Sequence, residues 1–302
     1  MSAQLTFYGG AGTVTGANFL LEVGSKKILI DCGIHEREQI CDPQNYSAFA
    51  YDPKSIDALF ITHAHADHIG RVPKLVRDGF CGVIYSTPAT KELSAIMFED
   101  ALSIMKESSD AQNCGMLYEE ADVARALSLW QTREYHEPFN IGDAKAEFLD
   151  AGHILGSAMV KFIRKNRIIL FTGDLGNSPE PLLNDAESPA GANYLVMESV
   201  YGDRTHEDRA MRKARLQEAI EETCARKGVL LIPSFSLERT QILLFEINKI
   251  AEGISRQGIP VYLDSPLAIK VTAVYKKNNN YLNANTNSII KSGDDVFRFP
   301  NL

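Results

Sequence analysis

The sequence lacks the features that would place it in a membrane or outside the cell. No run of about 18 apolar side chains, the length a membrane-spanning helix needs, occurs in its 302 residues. Met1-Ser2-Ala3-Gln4-Leu5 has no basic segment followed by an apolar core, so it does not read as a secretory leader. The five cysteines (Cys32, Cys41, Cys81, Cys114 and Cys224) are odd in number and scattered, with no Cys-x-x-Cys. That usage suits reduced, mostly buried thiols in a cytoplasmic protein. No repeat or low-complexity tract is present. There is no basic excess either: 31 Lys and Arg stand against 39 Asp and Glu, a net charge of −8. This argues against a nucleic-acid binder that relies on a broad basic face. Histidine is scarce, seven in all, and none follows His206.

Three of those seven fall in six positions, His63-Ala64-His65-Ala66-Asp67-His68. The preceding residues, 56–61, read as a buried strand and the following ones, 69–77, as a helix start. The cluster therefore sits on a loop leaving a strand, where α/β proteins place chemistry. His63 and His65 flank one small residue, so a bent loop can aim both imidazoles at one ion. Asp67 and His68 are adjacent and can point to opposite sides, which suits a second ion. Imidazole with carboxylate is a borderline ligand set that favours zinc, with iron and manganese as alternatives. A polar loop of solvated histidines is the competing reading, and the crowding of three histidines argues against it.

The rest of the chain supplies further candidates on strand ends. A strand at 5–8 leads into Gly9-Gly10-Ala11-Gly12-Thr13-Val14-Thr15-Gly16. Without Gly-Lys-Ser/Thr or a following helix, this is a glycine-rich hairpin rather than a phosphate loop. Strands follow at 18–23 and 28–30. Asp31 closes the second, either hydrogen-bonding the metal loop or stabilising a turn. Residues 34–55 read as irregular, 82–86 as a strand, 87–109 and 119–129 as helices, with Trp130 ending the second. His136 falls in an expected strand at 134–139 and reads as a core or surface histidine. Strand 144–149 precedes His153, in a glycine-flanked turn. Strands 158–163 and 168–171 flank the basic turn Arg164-Lys165-Asn166-Arg167, and Thr172-Gly173-Asp174 closes the second of them. Strand 194–197 ends in Glu198. Acids and histidines at four separate strand ends are hard to explain by packing. Residues 207–302 alternate helix (207–227, 237–252, 266–277) and strand (228–232, 259–263), a pattern suited to a parallel sheet.

His-x-His-x-Asp-His at 63–68, the Gly-His turn at 152–153 and Thr-Gly-Asp at 172–174, in that order, resemble the metallo-β-lactamase fold. The glycine-rich start and Glu198-Ser199-Val200-Tyr201-Gly202-Asp203-Arg204-Thr205-His206 are similar to its β-CASP branch of RNA-processing nucleases. That branch includes the endonuclease of eukaryotic pre-mRNA 3′-end processing and its bacterial and archaeal relatives. Pro233-Ser234-Phe235-Ser236-Leu237-Glu238-Arg239-Thr240-Gln241 and Leu263-Asp264-Ser265-Pro266-Leu267-Ala268 resemble pieces of the inserted β-CASP domain.

The resemblance, which spans the whole chain, implies an α/β protein. It consists of a four-layer αββα lactamase domain over 1–203 and an incomplete β-CASP α/β domain over 204–302. It implies two zinc ions and hydrolysis of RNA phosphodiester bonds. His63, His65 and His153 would hold one ion, Asp67 and His68 the other, with Asp174 bridging. Asp67 and Glu198 would be the catalytic acids, Glu198 by orienting the metal site. Ser234, Ser236 and Arg239 would contact substrate phosphate, although Arg239 also reads as a surface arginine at a helix start. RNA is the expected partner, no membrane is expected, and a homodimer is left open. Family members continue past the point where this chain stops and supply two more histidines, so the chain is expected to be a fragment. Two alternatives remain: a lactamase-fold hydrolase of another ester, or a non-catalytic RNA-binding partner of an active paralogue. A purely structural zinc would not need an open histidine–carboxylate site.

Overall fold

Apolar runs fold here into two facing sheets. The computed structural model describes residues 3–35, 42–112, 115–205, 211–253, 259–298 and 302. Cys41, Cys114, His206 and Phe299-Pro300 lie outside them. The strands are β1 (Gln4–Gly9), β2 (Asn18–Val23), β3 (Lys26–Ile30), β4 (Ala58–Phe60), β5 (Val83–Ser86), β6 (Trp130–Thr132), β7 (Phe139–Ile141), β8 (Ala144–Asp150), β9 (Ala158–Arg164), β10 (Arg167–Phe171) and β11 (Tyr194–Val196). The helices are α1 (Pro43–Tyr46), α2 (Ala66–Ile69), α3 (Val72–Arg77), α4 (Pro88–Gln112), α5 (Glu120–Ser128), α6 (Arg212–Ala225), α7 (Arg239–Gly253), α8 (Pro266–Lys277) and α9 (Ala284–Lys291). Among the described residues no helix is long and apolar enough to cross a membrane.

The chain divides into two compact units, Met1–Ser178 with Asp185–Glu198, and Pro179–Asn184 with Ser199–Leu302. In the first, one sheet runs β1-β2-β3-β4-β5-β6 and the other β11-β10-β9-β8-β7. β3, β4, β5 and β6 pair in parallel, and β7 to β10 pair antiparallel. Leu21, Ile28, Ile30 and Phe60 of the first sheet share a core with Ala146, Phe148, Val160, Phe162 and Phe171 of the second. Phe60 meets Phe162 edge-on at 4.9 Å between ring centres. Leu29, Leu59 and Ile84 point the other way and are also fully buried, as parallel strands covered on both faces require. α3 packs on α5 and α4 on α5 and β6, where Phe98 meets Trp130 at 6.3 Å. This is the layered α/β architecture that the resemblance implies. Its consequence for function is that β4, β8, β10 and β11 hand over to the loops that carry His63, His153, Asp174 and Glu198.

The second unit is helical in its regular structure. Asn283 holds its parts together: the side-chain amide donates to the carbonyls of Pro181 and Leu183, each at 3.1 Å, while its Oδ1 accepts from Thr286 N at 2.8 Å. α8 starts where expected, with Ser265 capping Ala268 N at 3.2 Å and Pro266 in the first turn.

Several local expectations are corrected. Residues 228–232 and 259–263 belong to no helix and no sheet among the described residues. Val229, Leu231 and Tyr262 are 94%, 86% and 85% exposed. Apolar alternation marks extended backbone, but a strand also needs a neighbour for its N–H and C=O groups. The strand expected at 134–139 does not form. His136 adopts φ +60° in a turn, Tyr135 makes a single parallel bridge to Phe148 of β8, and Phe139 begins β7. Trp130 begins β6 rather than ending α5, and its indole donates to Ser86 Oγ at 2.8 Å. Of the described cysteines Cys32 is buried, Cys224 half-buried and Cys81 exposed, so the thiols are less uniformly buried than their scatter suggests.

Candidate metal centre

The loop after β4 is short and wholly determined by its surroundings. Phe60, Ile61, Thr62 and His63 are buried, and His65 occupies the cap position of α2, which begins at Ala66. Asp67 and His68 therefore lie on the first turn of a helix. Gly33 makes this possible, because a side chain there would run into the carbonyl of Asp67. With that close approach, Ala17 N donates to Asp67 O at 2.9 Å and Cys32 N to His68 O at 2.7 Å.

Three more strand ends reach the same place. His153 follows β8 in a turn fastened at several points. Asp150 Oδ1 accepts from Gly152 N at 2.9 Å, and Ser157 Oγ accepts from His153 N at 3.0 Å and Ile154 N at 3.2 Å. Thr87 and Thr90, at the start of α4, both donate to Gly156 O, at 2.6 and 2.9 Å. Asp174 follows β10. Glu198, after β11, accepts from Leu175 N at 3.3 Å, while its own N–H donates to Thr172 Oγ1 at 3.2 Å. Glu198 thus braces the loop that carries Asp174.

The donor atoms converge. His63 Nε2 lies 3.0 Å from His65 Nδ1, and His153 Nε2 lies 3.2 Å from the same atom. Asp174 Oδ2 is 3.7 Å from His63 Nε2 and 3.6 Å from His153 Nε2. These four residues offer ligand atoms all within 4.8 Å of one another. The other oxygen of Asp174 turns to His68 Nε2 at 3.2 Å, and Asp67 Oδ2 lies 3.7 Å from that nitrogen. All six residues singled out as metal ligands in the sequence are therefore brought together.

Charge follows from burial and neighbours. Burial, and then the neighbouring His68, His65 and His153, hold His63 well below the usual imidazole range. Burial and His153 lower His65 to about 4. His68 is different. Burial opposes its charge, but Asp31 and a hydrogen bond to Asp174 outweigh that and raise it well above its ordinary value. Burial likewise opposes ionisation of Asp174, yet His68 above all keeps it far below the usual carboxylate range.

A cluster of neutral imidazole nitrogens turned toward one another beside an ionised carboxylate fits a metal ion. Each ring presents a lone pair, and the carboxylate offsets positive charge. All donors are nitrogen or oxygen, as expected of a borderline divalent metal.

Asp31, either a metal-loop partner or a turn residue from the sequence, is fully buried and bonded to that loop. It accepts from Thr62 N at 2.8 Å, Thr62 Oγ1 at 2.8 Å and His68 Nδ1 at 2.8 Å. His136 is a surface residue, 3.3 Å from Glu187 through Nε2. Ser234, Ser236 and Arg239 belong to the second unit. Thr240 Oγ1 donates to Ser234 Oγ at 3.4 Å, Ser236 Oγ lies 3.3 Å from Ser265 Oγ, and the half-exposed Arg239 opens α7. Thr62, Thr87, Thr90 and Ser157 were not recognisable as partners of the ligand loops from sequence. Only Thr62 carried any signal, by directly preceding His63.

Comparison with known proteins agrees with this geometry. Residues 11–218 match the Metallo-beta-lactamase superfamily and residues 240–302 the Beta-Casp domain. The chain is 35% identical to Ribonuclease TTHA0252 of Thermus thermophilus over 96% of its own length and 65% of that protein's. It is 33% identical to Cleavage and polyadenylation specificity factor subunit 3-I of Arabidopsis thaliana, covering 88% of this chain and 38% of the relative. Endoribonuclease YSH1 of Saccharomyces cerevisiae is 29% identical over 91% of this chain and 36% of its own length. The chain thus spans about two thirds of the first of these relatives and under half of the others. With its candidate ligand residues placed after strand ends of a two-sheet sandwich, the chain belongs to the metallo-beta-lactamase superfamily.

Proposed function

We propose that this chain carries the metal centre of a dinuclear-zinc ribonuclease that hydrolyses RNA phosphodiester bonds in the cytoplasm. In this reading residues 1–203 are the lactamase domain and 204–302 part of the β-CASP domain. The observation that carries it is the division of the Asp174 carboxylate, Oδ2 toward His63 and His153 and Oδ1 toward His68. A carboxylate that serves two groups of nitrogen donors suits a bridge between two ions. Two relatives whose names state RNA cleavage, Ribonuclease TTHA0252 and Endoribonuclease YSH1, support the choice of substrate.

His63, His65 and His153 would hold one zinc and Asp67 and His68 the other. When bound, zinc supplies Lewis acidity, bringing the pKa of water down toward about 7 and offsetting charge that builds up at phosphorus. The protein's part is placement. Asp67, on the first turn of α2, faces the same space as His68 Nε2 and Asp174 Oδ1, where it can take the proton of the attacking water. Glu198 keeps Asp174 in register through Leu175 N. Ser234, Ser236 and Arg239 would bind phosphate oxygens of the RNA through hydroxyl and guanidinium donors.

The test is cleavage of labelled single-stranded RNA by the purified, zinc-loaded protein. Asp67→Ala should abolish cleavage and leave the circular dichroism spectrum unchanged. Thioester hydrolysis with no action on RNA would overturn the proposed substrate.

A further inference from the structure

The side chain of Thr62 is buried at a junction no expected ligand occupies. Its hydroxyl lies 2.8 Å from Asp31 Oδ2, 3.0 Å from His63 Nδ1 and 3.4 Å from His68 Nδ1. Thr62 is 1% exposed, Asp31 and His63 are fully buried, and His68 is 5% exposed, so water does not compete for these contacts. Gly173, the residue before Asp174, leaves the space into which the Thr62 side chain packs. A Cβ there would come within 2.6 Å of Thr62 Cβ and 2.7 Å of its Oγ1.

Proton counting sets the direction of each bond. A hydroxyl has one proton, and an ionised carboxylate only accepts. The Thr62 proton therefore goes to Asp31 Oδ2, leaving the lone pairs of Oγ1 free to accept. The neighbouring group that can donate to them at 3.0 Å is His63, through Nδ1–H. His68 Nδ1 lies 2.8 Å from Asp31 Oδ2 and donates there directly. His63 then carries its proton on Nδ1 and turns a bare Nε2 toward Asp174, while His68 points its Nδ1–H at Asp31.

We propose that Thr62 is a positioning residue that fixes the tautomer of His63 by relaying the charge of Asp31 through its hydroxyl. One buried carboxylate in this way orients one ligand from each proposed ion, His68 by direct contact and His63 at one remove. The inference rests on the reading of His63 as a metal ligand. Thr62→Val keeps the shape of the side chain and removes the relay, so the His63 ring can exchange to the Nε2–H form, which cannot bind metal through Nε2. Thr62→Ser keeps the hydroxyl.

The experiment has two readouts, neither of which is activity. The first is the imidazole ¹⁵N spectrum of the metal-free protein, with His63 assigned by its loss in His63→Ala. The Nδ1–H tautomer is expected at His63 in the wild type and in Thr62→Ser, and mixed tautomers in Thr62→Val. The second is zinc affinity by competition with a chromophoric chelator. Thr62→Val should bind about 10–100-fold more weakly, as is typical when the partner of a ligand histidine is lost, and Thr62→Ser within a few-fold of wild type. An Nε2–H tautomer at His63 in the wild type overturns the proposal without recourse to any variant, so it remains testable even if Thr62→Val does not fold. Wild-type affinity and tautomer in Thr62→Val also overturn it. A wild-type protein that binds no zinc overturns instead the metal-centre reading on which it rests.

Discussion

Asp31 Oδ2 and His68 Nδ1 lie 2.8 Å apart although 37 positions separate them in the chain. The contact ties the end of β3 to the first turn of α2, and Asp31 reaches it from a left-handed backbone conformation, φ +57°. Asn adopts that conformation more readily than most residues, so Asp31→Asn tests the charge with little strain on the backbone. The expected result is a fold retained by circular dichroism, with zinc affinity lowered by about 10–100-fold in chelator competition. Unchanged affinity would show that His68 needs no anionic partner.

The turn that carries His153 should depend on α4. Thr87→Val with Thr90→Val removes both hydroxyl donors to Gly156 O. A buried carbonyl left without a partner costs about 1–3 kcal/mol, so urea denaturation should show a loss of that order. Zinc binding should weaken as well, because His153 N and Gly156 O belong to one turn. Loss of stability with no change in zinc binding would mean that the turn keeps its shape without the threonines.

The metal-free protein should be most stable near pH 6.5. His63 and His65 sit below the ordinary imidazole value of 6.5, so below that pH the unfolded chain binds protons that the folded chain does not. Stability therefore rises with pH up to about that point. His68 is shifted the other way, its value raised above 6.5. Its contribution is fully present below pH 6.5 and is lost as pH rises through the folded value. Urea unfolding in the presence of a chelator should give a maximum between an acid and an alkaline decline. Stability that climbs steadily through pH 8 would contradict the protonated state assigned to His68.

The metal loop was legible because its information is local. Three histidines and an aspartate in six positions, between an apolar strand and a helix start, specify both the chemistry and the place. Asp174 and Glu198 were legible for the same reason, each ending an apolar run. The helix α8 was marked by its own cap, Ser265 before Pro266. The contacts of Thr87 and Thr90 with Gly156 were not legible, since 69 and 66 positions separate the partners and nothing local marks a threonine as a donor to a distant turn. The strands expected at 228–232 and 259–263 failed differently. Their apolar residues predicted strands, but pairing is a property of two segments, and alternation describes only one. At His136 a short polar stretch resembled a strand, whereas the left-handed backbone there turns the chain instead.

We expect six residues, delivered after the three strands β4, β8 and β10, to hold two zinc ions. Elemental analysis after dialysis against zinc tests it most directly, comparing the wild type with a His63→Ala, His65→Ala and Asp174→Ala triple variant. The expected result is about two zinc ions per chain in the wild type, the number a bridged pair requires, and a large loss in the variant. Equal zinc content in the two proteins would contradict it.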